Sequence, residues 1–248
     1  MSTDARMDMK VAGSGRIPAG EYNAVSVSGS GKLFGQVRCA TFSSAGSCQG
    51  EALFCEGNAK ISGSAKFSES VRAACFSAAG SFSVGGDITV REKLSCAGSV
   101  TCGGHVACHE LAVAGLLKVG GDVESETVKV KGTLVCGGLL NAEHIDLCFD
   151  GGTELDSVGG SRVAIYPRSE GKRGGRFSLR ALFKKRSHPR ATVNSLVEGD
   201  EITLSGVIAP RVTGRAVVIG DGCEIELVQY SESVEVSPDA SVQRMEKV

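Results

Sequence analysis

Gly80 to Leu134 runs GSFSVGGDITVREKLSCAGSVTCGGHVACHELAVAGLLKVGGDVESETVKVKGTL, and the stretch repeats itself. Its glycines 80, 98, 115 and 132 belong to a longer series. From Gly13 through Gly29, Gly46, Gly63, Gly80, Gly98 and Gly115 to Gly132 the separations are 16, 17, 17, 17, 18, 17 and 17 residues. Self-similarity this tight marks a repeat architecture.

Stacking the repeats shows what each position does. Two places after the glycine come Cys48, Ala65, Phe82, Val100, Leu117 and Leu134. Two further on come Leu33, Phe67, Val84, Cys102, Val119 and Cys136, with Gly50 as a gap. A second segment carries Val37, Phe54, Val71, Ile88, Val106, Val123 and Leu140. A third carries Phe42, Ala59, Phe76, Leu94, Leu111, Val128 and Ile145, followed one alternation later by Ser44, Ile61, Ala78, Cys96, Val113, Val130 and Leu147. Apolar residues at every second place, with polar ones between, specify strands. Helical repeats would space them at three and four.

Three short strands in about 17 residues wind as a three-faced parallel β-helix, each rung hydrogen-bonded to the next at about 4.8 Å. The doublets Gly85-Gly86, Gly103-Gly104, Gly120-Gly121 and Gly137-Gly138 fall where one face turns into the next. Such corners call for positive φ or for close backbone approach. A phosphate-binding glycine loop would have to open a long amphipathic helix, and no helical pattern follows any doublet.

Composition agrees with a narrow tube. Of 248 residues 34 are glycine, none is tryptophan, and aromatics make up 5%. Val, Leu, Ile, Ala, Cys and Phe fill the inward columns, so the core is a line rather than a ball. Met1 to Gly15 is polar and charged, and no apolar run approaches the ~18 residues of a membrane span, so a cytoplasmic location is expected. Of the ten cysteines, Cys48, Cys96, Cys102, Cys108 and Cys136 occupy inward columns, where free thiols serve as small hydrophobes. No CxxC pair exists to suggest structural zinc. His105 and His109 lie near a corner and the next face, where solvated surface imidazoles are expected rather than ligands; His144 and His188 are scattered. Asp87, Asp122, Glu124 and Glu126 sit at outward positions without converging on an acid-base pair.

The winding is expected over residues 13–167, after a polar tail at 1–12. It is regular to Leu147, and Leu155, Val158, Val163 and Ile165 face inward in a looser turn. Residues 168–190 break the pattern. Nine basic residues there (Arg168, Lys172, Arg173, Arg176, Arg180, Lys184, Lys185, Arg186 and Arg190) face one acid, Glu170, a balance of +8 in a chain of net charge -1. Within it, Leu179, Leu182 and Phe183 share one helical face and Arg176, Arg180 and Lys184 lie outside it. Such a segment can lie on an anionic bilayer, each basic residue near the surface contributing about 1 kcal/mol, or can form a loop docked on the solenoid wall. Rungs resume over 191–238, with Ile202, Leu204, Val207, Val212, Val217, Ile219, Cys223, Ile225, Leu227, Val234 and Val236 inward. Residues 239–248 form a polar tail expected to fray.

The repeat form GSxxxxGxVxxxxxxVx, the segment GGLLNAEHIDL (Gly137 to Leu147), and EGDEITL (Glu198 to Leu204) followed by VVIGDGCEIELVQYSESVEV (Val217 to Val236) resemble the bactofilin-type polymer-forming cytoskeletal proteins, in their longer Gram-positive form. The resemblance spans nearly the whole chain. It implies a right-handed parallel β-helix that polymerises end to end without nucleotide, often at the membrane, with no catalytic, cofactor or metal residues. Homo-polymerisation through terminal rungs is then the expected partnership, without nucleic acid or small-molecule substrate. Shorter members carry a basic, hydrophobic N-terminal membrane peptide that Met1 to Lys10 does not match, so the basic insertion is the candidate for peripheral attachment at the inner membrane face. Backbone chemistry leads to the same assembly: an end rung with unpaired N–H and C=O groups needs a cap or another copy.

Three other readings use fewer residues. Ile219 to Glu224 fits one hexapeptide repeat of the left-handed acyltransferase class, which needs consecutive hexads and a boundary histidine. A polysaccharide lyase needs longer rungs and a charged cluster on one wall. A monomeric β-helix that binds a partner along its face needs nothing the sequence lacks.

Overall fold

The computed structural model describes residues 6–168 and 189–248. Among them every regular element is a strand, and every strand pairing is parallel. The chain winds as a β-solenoid of about 13 turns, each strand lying on its counterpart roughly 17 residues away. The expected parallel β-helix is therefore the fold.

As far as Leu116–Val119, one face of the rungs is a four-residue strand, such as Ser81–Val84 or Ser99–Cys102, that alternates exposed and buried side chains. The next two faces are short strands in some rungs (Val71–Ala73, Cys75–Ala78) and one bent strand in others (Ile88–Cys96, Val106–Val113). Toward the C-terminus strands run through the corners, as in Val123–Phe149 and Thr153–Pro167. Register is maintained because slipping one residue would turn an entire apolar column outward.

The tube interior is one continuous apolar cluster. Its widest side chains stack in the early rungs: Phe67 meets Phe42 and Phe82 edge-on, with ring centroids 6.4 and 6.1 Å apart, and Phe76 lies 4.7 Å from Phe82. The gap at Gly50 has a cause in this stack. A Cβ there would sit 2.9 Å from the Phe67 ring and 3.0 Å from Leu33 Cβ, so Phe67 already fills the space. Ser44 is buried at an inward position, and its Oγ finds no hydrogen-bond partner among the described residues.

Five expectations need correction. Phe54 does not face inward: Leu53 pairs with Val37 and Val71 and is buried, while Phe54 lies outside between Arg38 and Arg72, whose guanidiniums are 4.9 and 5.5 Å from its ring. The described part of the expected N-terminal tail is already solenoid, since Met7–Val11 pairs with Gly20–Val27. The C-terminal tail does not fray, since Ser241–Lys247 pairs with Glu224–Val236. In the last turns Val228 rather than Leu227 is buried, Val234 is half-buried and Val236 is exposed, because Ser241–Lys247 pairs only with residues 224–230 and no described strand lies on the face at 233–236. The turn at residues 153–167 is as regular as its neighbours, with Leu155, Val158, Val163 and Ile165 all buried.

Candidate functional surfaces

The glycine series makes one corner of the tube. A Cβ on Gly29, Gly46, Gly63, Gly80, Gly98, Gly115 or Gly132 would strike the carbonyl oxygen of the glycine one rung before, closer than the 3.0 Å real Cβ atoms keep. Gly13, first of the series, would meet nothing within 4 Å. The period thus records backbone stacked on backbone. The doublets, too, are close-approach corners, and none of their glycines has positive φ.

A second function of the doublets could not be read from spacing. The residue after each one reaches to the next rung: the His105 N–H donates to Asp87 Oδ1 (2.8 Å), the Asp122 N–H to His105 Nδ1 (3.0 Å), and the Leu139 N–H to Asp122 Oδ1 (2.8 Å). The second glycine leaves room for this ladder, because a Cβ on Gly104 or Gly138 would collide with Asp87 Oδ1 or Asp122 Oδ1 and one on Gly121 with the His105 ring. His105 therefore works in the structure as a hydrogen-bond acceptor. Asp122 Oδ2 lies 3.2 Å from the same Nδ1, which as an acceptor offers that carboxylate no proton, and both side chains are more than half exposed, so the contact adds nothing to the ladder. His109 lies 3.0 Å from Glu126, also exposed. Among the described residues no three His, Cys, Asp or Glu side chains gather to hold a metal.

All ten cysteines are free. Cys48, Cys96, Cys102 and Cys136 are buried as expected, whereas Cys108 is half-buried. Burial pushes the thiols of Cys48 and Cys96 up to about 12 and that of Cys108 to about 11, which suppresses thiolate at neutral pH. Cys55 departs from this pattern. Cys55 lies in register with Cys39 one rung earlier, and the nearness of the two thiols lowers the pKa of Cys55 and raises that of Cys39, while Cys55 Sγ donates to the Ala40 carbonyl at 3.5 Å.

The expected contact residues Lys172, Arg173, Arg176, Arg180, Leu182, Phe183, Lys184, Lys185 and Arg186 lie outside the described residues. The ends of their segment are described. Arg168 pairs with Asp150 at 2.9 Å and Arg190 with Glu224 at 2.6 Å, and Pro167 and Pro189 both lie against Gly206, so the described ends of the segment meet at one corner of the tube.

The end rungs present a different surface. Met7–Val11 and Ser14–Ile17 pair only with the rung after them, and Ser241–Lys247 only with the rung before, among the described residues. Inward columns surface there. Met7 and Met9 continue the columns of Tyr22 and Val25, and Met7 is 74% exposed. Val242 and Met245 continue those of Ile225 and Val228, and Met245 is 53% exposed. No helix of the described residues is long and apolar enough to cross a membrane.

No protein-family model matches the chain, and no solved structure matches it. Among curated proteins, the uncharacterized protein YhbE of Bacillus subtilis (strain 168) is 43% identical over 53 residues. The match covers 21% of this chain and 22% of YhbE, about a fifth of each.

Proposed function

We propose that the protein is a non-enzymatic scaffold that assembles end to end, without nucleotide, into polymers of the bactofilin type at the inner face of the cytoplasmic membrane. One observation carries this reading: both described end rungs have an unpaired backbone edge and an uncovered slice of the apolar core. Stacking a second copy there exchanges water for backbone hydrogen bonds and buries the methionines and valines, which water cannot do. The basic insertion is the proposed membrane contact, strengthened by its repetition along a polymer.

Sedimentation velocity across protein concentration and salt tests the assembly. The reading expects oligomers that grow with concentration in wild type, and mainly monomers for Met9→Asp or Val242→Asp. Monomer at every concentration favours a solitary binding scaffold instead. Liposome co-sedimentation tests the attachment, comparing wild type with Arg180, Lys184 and Lys185 changed to Glu, and separately with Leu182 and Phe183 changed to Ser. Equal binding by all three would assign the insertion to packing on the solenoid wall.

A further inference from the structure

The first rungs carry an outer ridge built on aromatic rings and cations. Arg16 and Lys32 are register neighbours on one face, and both stack on Phe34, at 5.6 and 5.2 Å from its ring. Phe34 stands at the corner where that face ends, 36% exposed, before Gly35, whose φ of 63° turns the chain onto the next face. There Arg38, Phe54 and Arg72 form a column on successive rungs, ring between guanidiniums. Four cations and two rings thus wrap one convex edge.

Their seating on rings sets them apart: among the described residues these four cations make all the cation–ring contacts. Among the described residues none of Arg16, Lys32, Arg38 and Arg72 makes an ion pair, and the side chain of Arg38 bonds only to Gln36. In the later turns Arg162, Arg168, Arg190, Arg215 and Arg244 all have carboxylate partners. Of the nearby acids, Glu21 is held by Arg6 and Glu51 and Glu69 sit at the corner itself, while Lys66 extends the Arg16 and Lys32 column. Positive charge remains in excess, and resting it on rings keeps the guanidiniums splayed toward solvent.

We propose that this ridge is a docking surface for an anionic phospholipid bilayer, separate from the basic insertion. Arg16 and Lys32 line an open depression with Ser14, Ser30 and Gln49, but Arg38 and Arg72 lie outside it on the next face, two rungs apart, so the four cations are spread too widely to converge on one anion. The ridge suits a flat field of phosphates, with the exposed Phe34 ring at headgroup depth and the cations around it. At about 1 kcal/mol per cation, each one removed should lower the partition coefficient roughly fivefold.

The test is co-sedimentation of the full chain with vesicles of equal phosphatidylglycerol and phosphatidylcholine, and with phosphatidylcholine alone. The background variant has Arg180, Lys184 and Lys185 changed to Glu, which isolates the ridge from the insertion. On that background Lys32→Gln with Arg38→Gln should reduce binding about 25-fold, and Phe34→Ser several-fold, with unchanged thermal melting because these side chains point outward. Binding should vanish on neutral vesicles. If the ridge variants bind like their background, the proposal is overturned. If soluble polyphosphate displaces the protein from vesicles at equal phosphate concentration, the ridge reads a polyanion rather than a bilayer, and the proposal is overturned as well.

Discussion

Replacing Gly80 with alanine should destabilise the solenoid, whereas the same change at Gly13 should not. The Cβ introduced by Gly80→Ala would press on the carbonyl oxygen of Gly63, which accepts the Ser81 N–H at 3.1 Å. A backbone acceptor cannot swing aside, so the rungs must part locally and that hydrogen bond weakens. Overpacking of this kind costs about 1–3 kcal/mol, and a weakened ladder bond adds roughly 1 kcal/mol, giving about 2–4 kcal/mol in all. At Gly13 the added methyl meets nothing within 4 Å. There alanine only narrows the unfolded ensemble and should stabilise by about 0.4–1 kcal/mol. Urea unfolding followed by circular dichroism measures both, as opposite shifts in midpoint. Should Gly80→Ala unfold at the wild-type midpoint, the stacked-carbonyl explanation of the period is wrong.

Other outcomes follow from the core, the thiols and the corner ladder. Val106→Ala should cost about 1–3 kcal/mol and Phe67→Ala about 3–5 kcal/mol in the same assay, since both are buried and Phe67 bridges two other rings. Alkylation of native protein read by mass spectrometry should modify Cys55 before Cys48 or Cys96, and those two only after denaturation. Because burial raises Cys48 and Cys96 from 9.0 to about 12, the folded state holds protons the unfolded state releases; stability should fall as pH rises from about 9 toward 12. Asp122→Ala should cost about 1 kcal/mol by removing the acceptor of the Leu139 N–H, and Asp122→Asn should recover most of it.

The fold is legible because a tube writes its geometry into every turn. Backbone stacking demands glycine at one corner, and period-two burial demands Val, Leu, Ile or Cys inside. Where a local detail breaks the period, the sequence misleads. Phe54 looks like a core residue by type, and only the register reveals Leu53 inside, with the ring held between arginines two rungs apart. The end strands are hidden because a terminal rung lacks the neighbour that would bury it, so Met7–Val11 and Ser241–Lys247 look polar. The hydrogen-bond ladder at Asp87, His105 and Asp122 joins residues 17 and 18 apart through different side-chain types, which leaves no pattern of identity to notice. The cation and phenylalanine ridge is hidden for a related reason: its members fall in separate columns that meet only at a corner.

Electron microscopy of the purified chain in nucleotide-free buffer tests the central claim most directly. About 13 turns at roughly 4.8 Å each give a copy about 60 Å long. End-to-end assembly therefore expects thin unbranched filaments whose diffraction combines a layer line near 4.8 Å with an axial repeat that is a multiple of about 60 Å. Isolated particles about 60 Å long at every concentration, with no filaments, would contradict it.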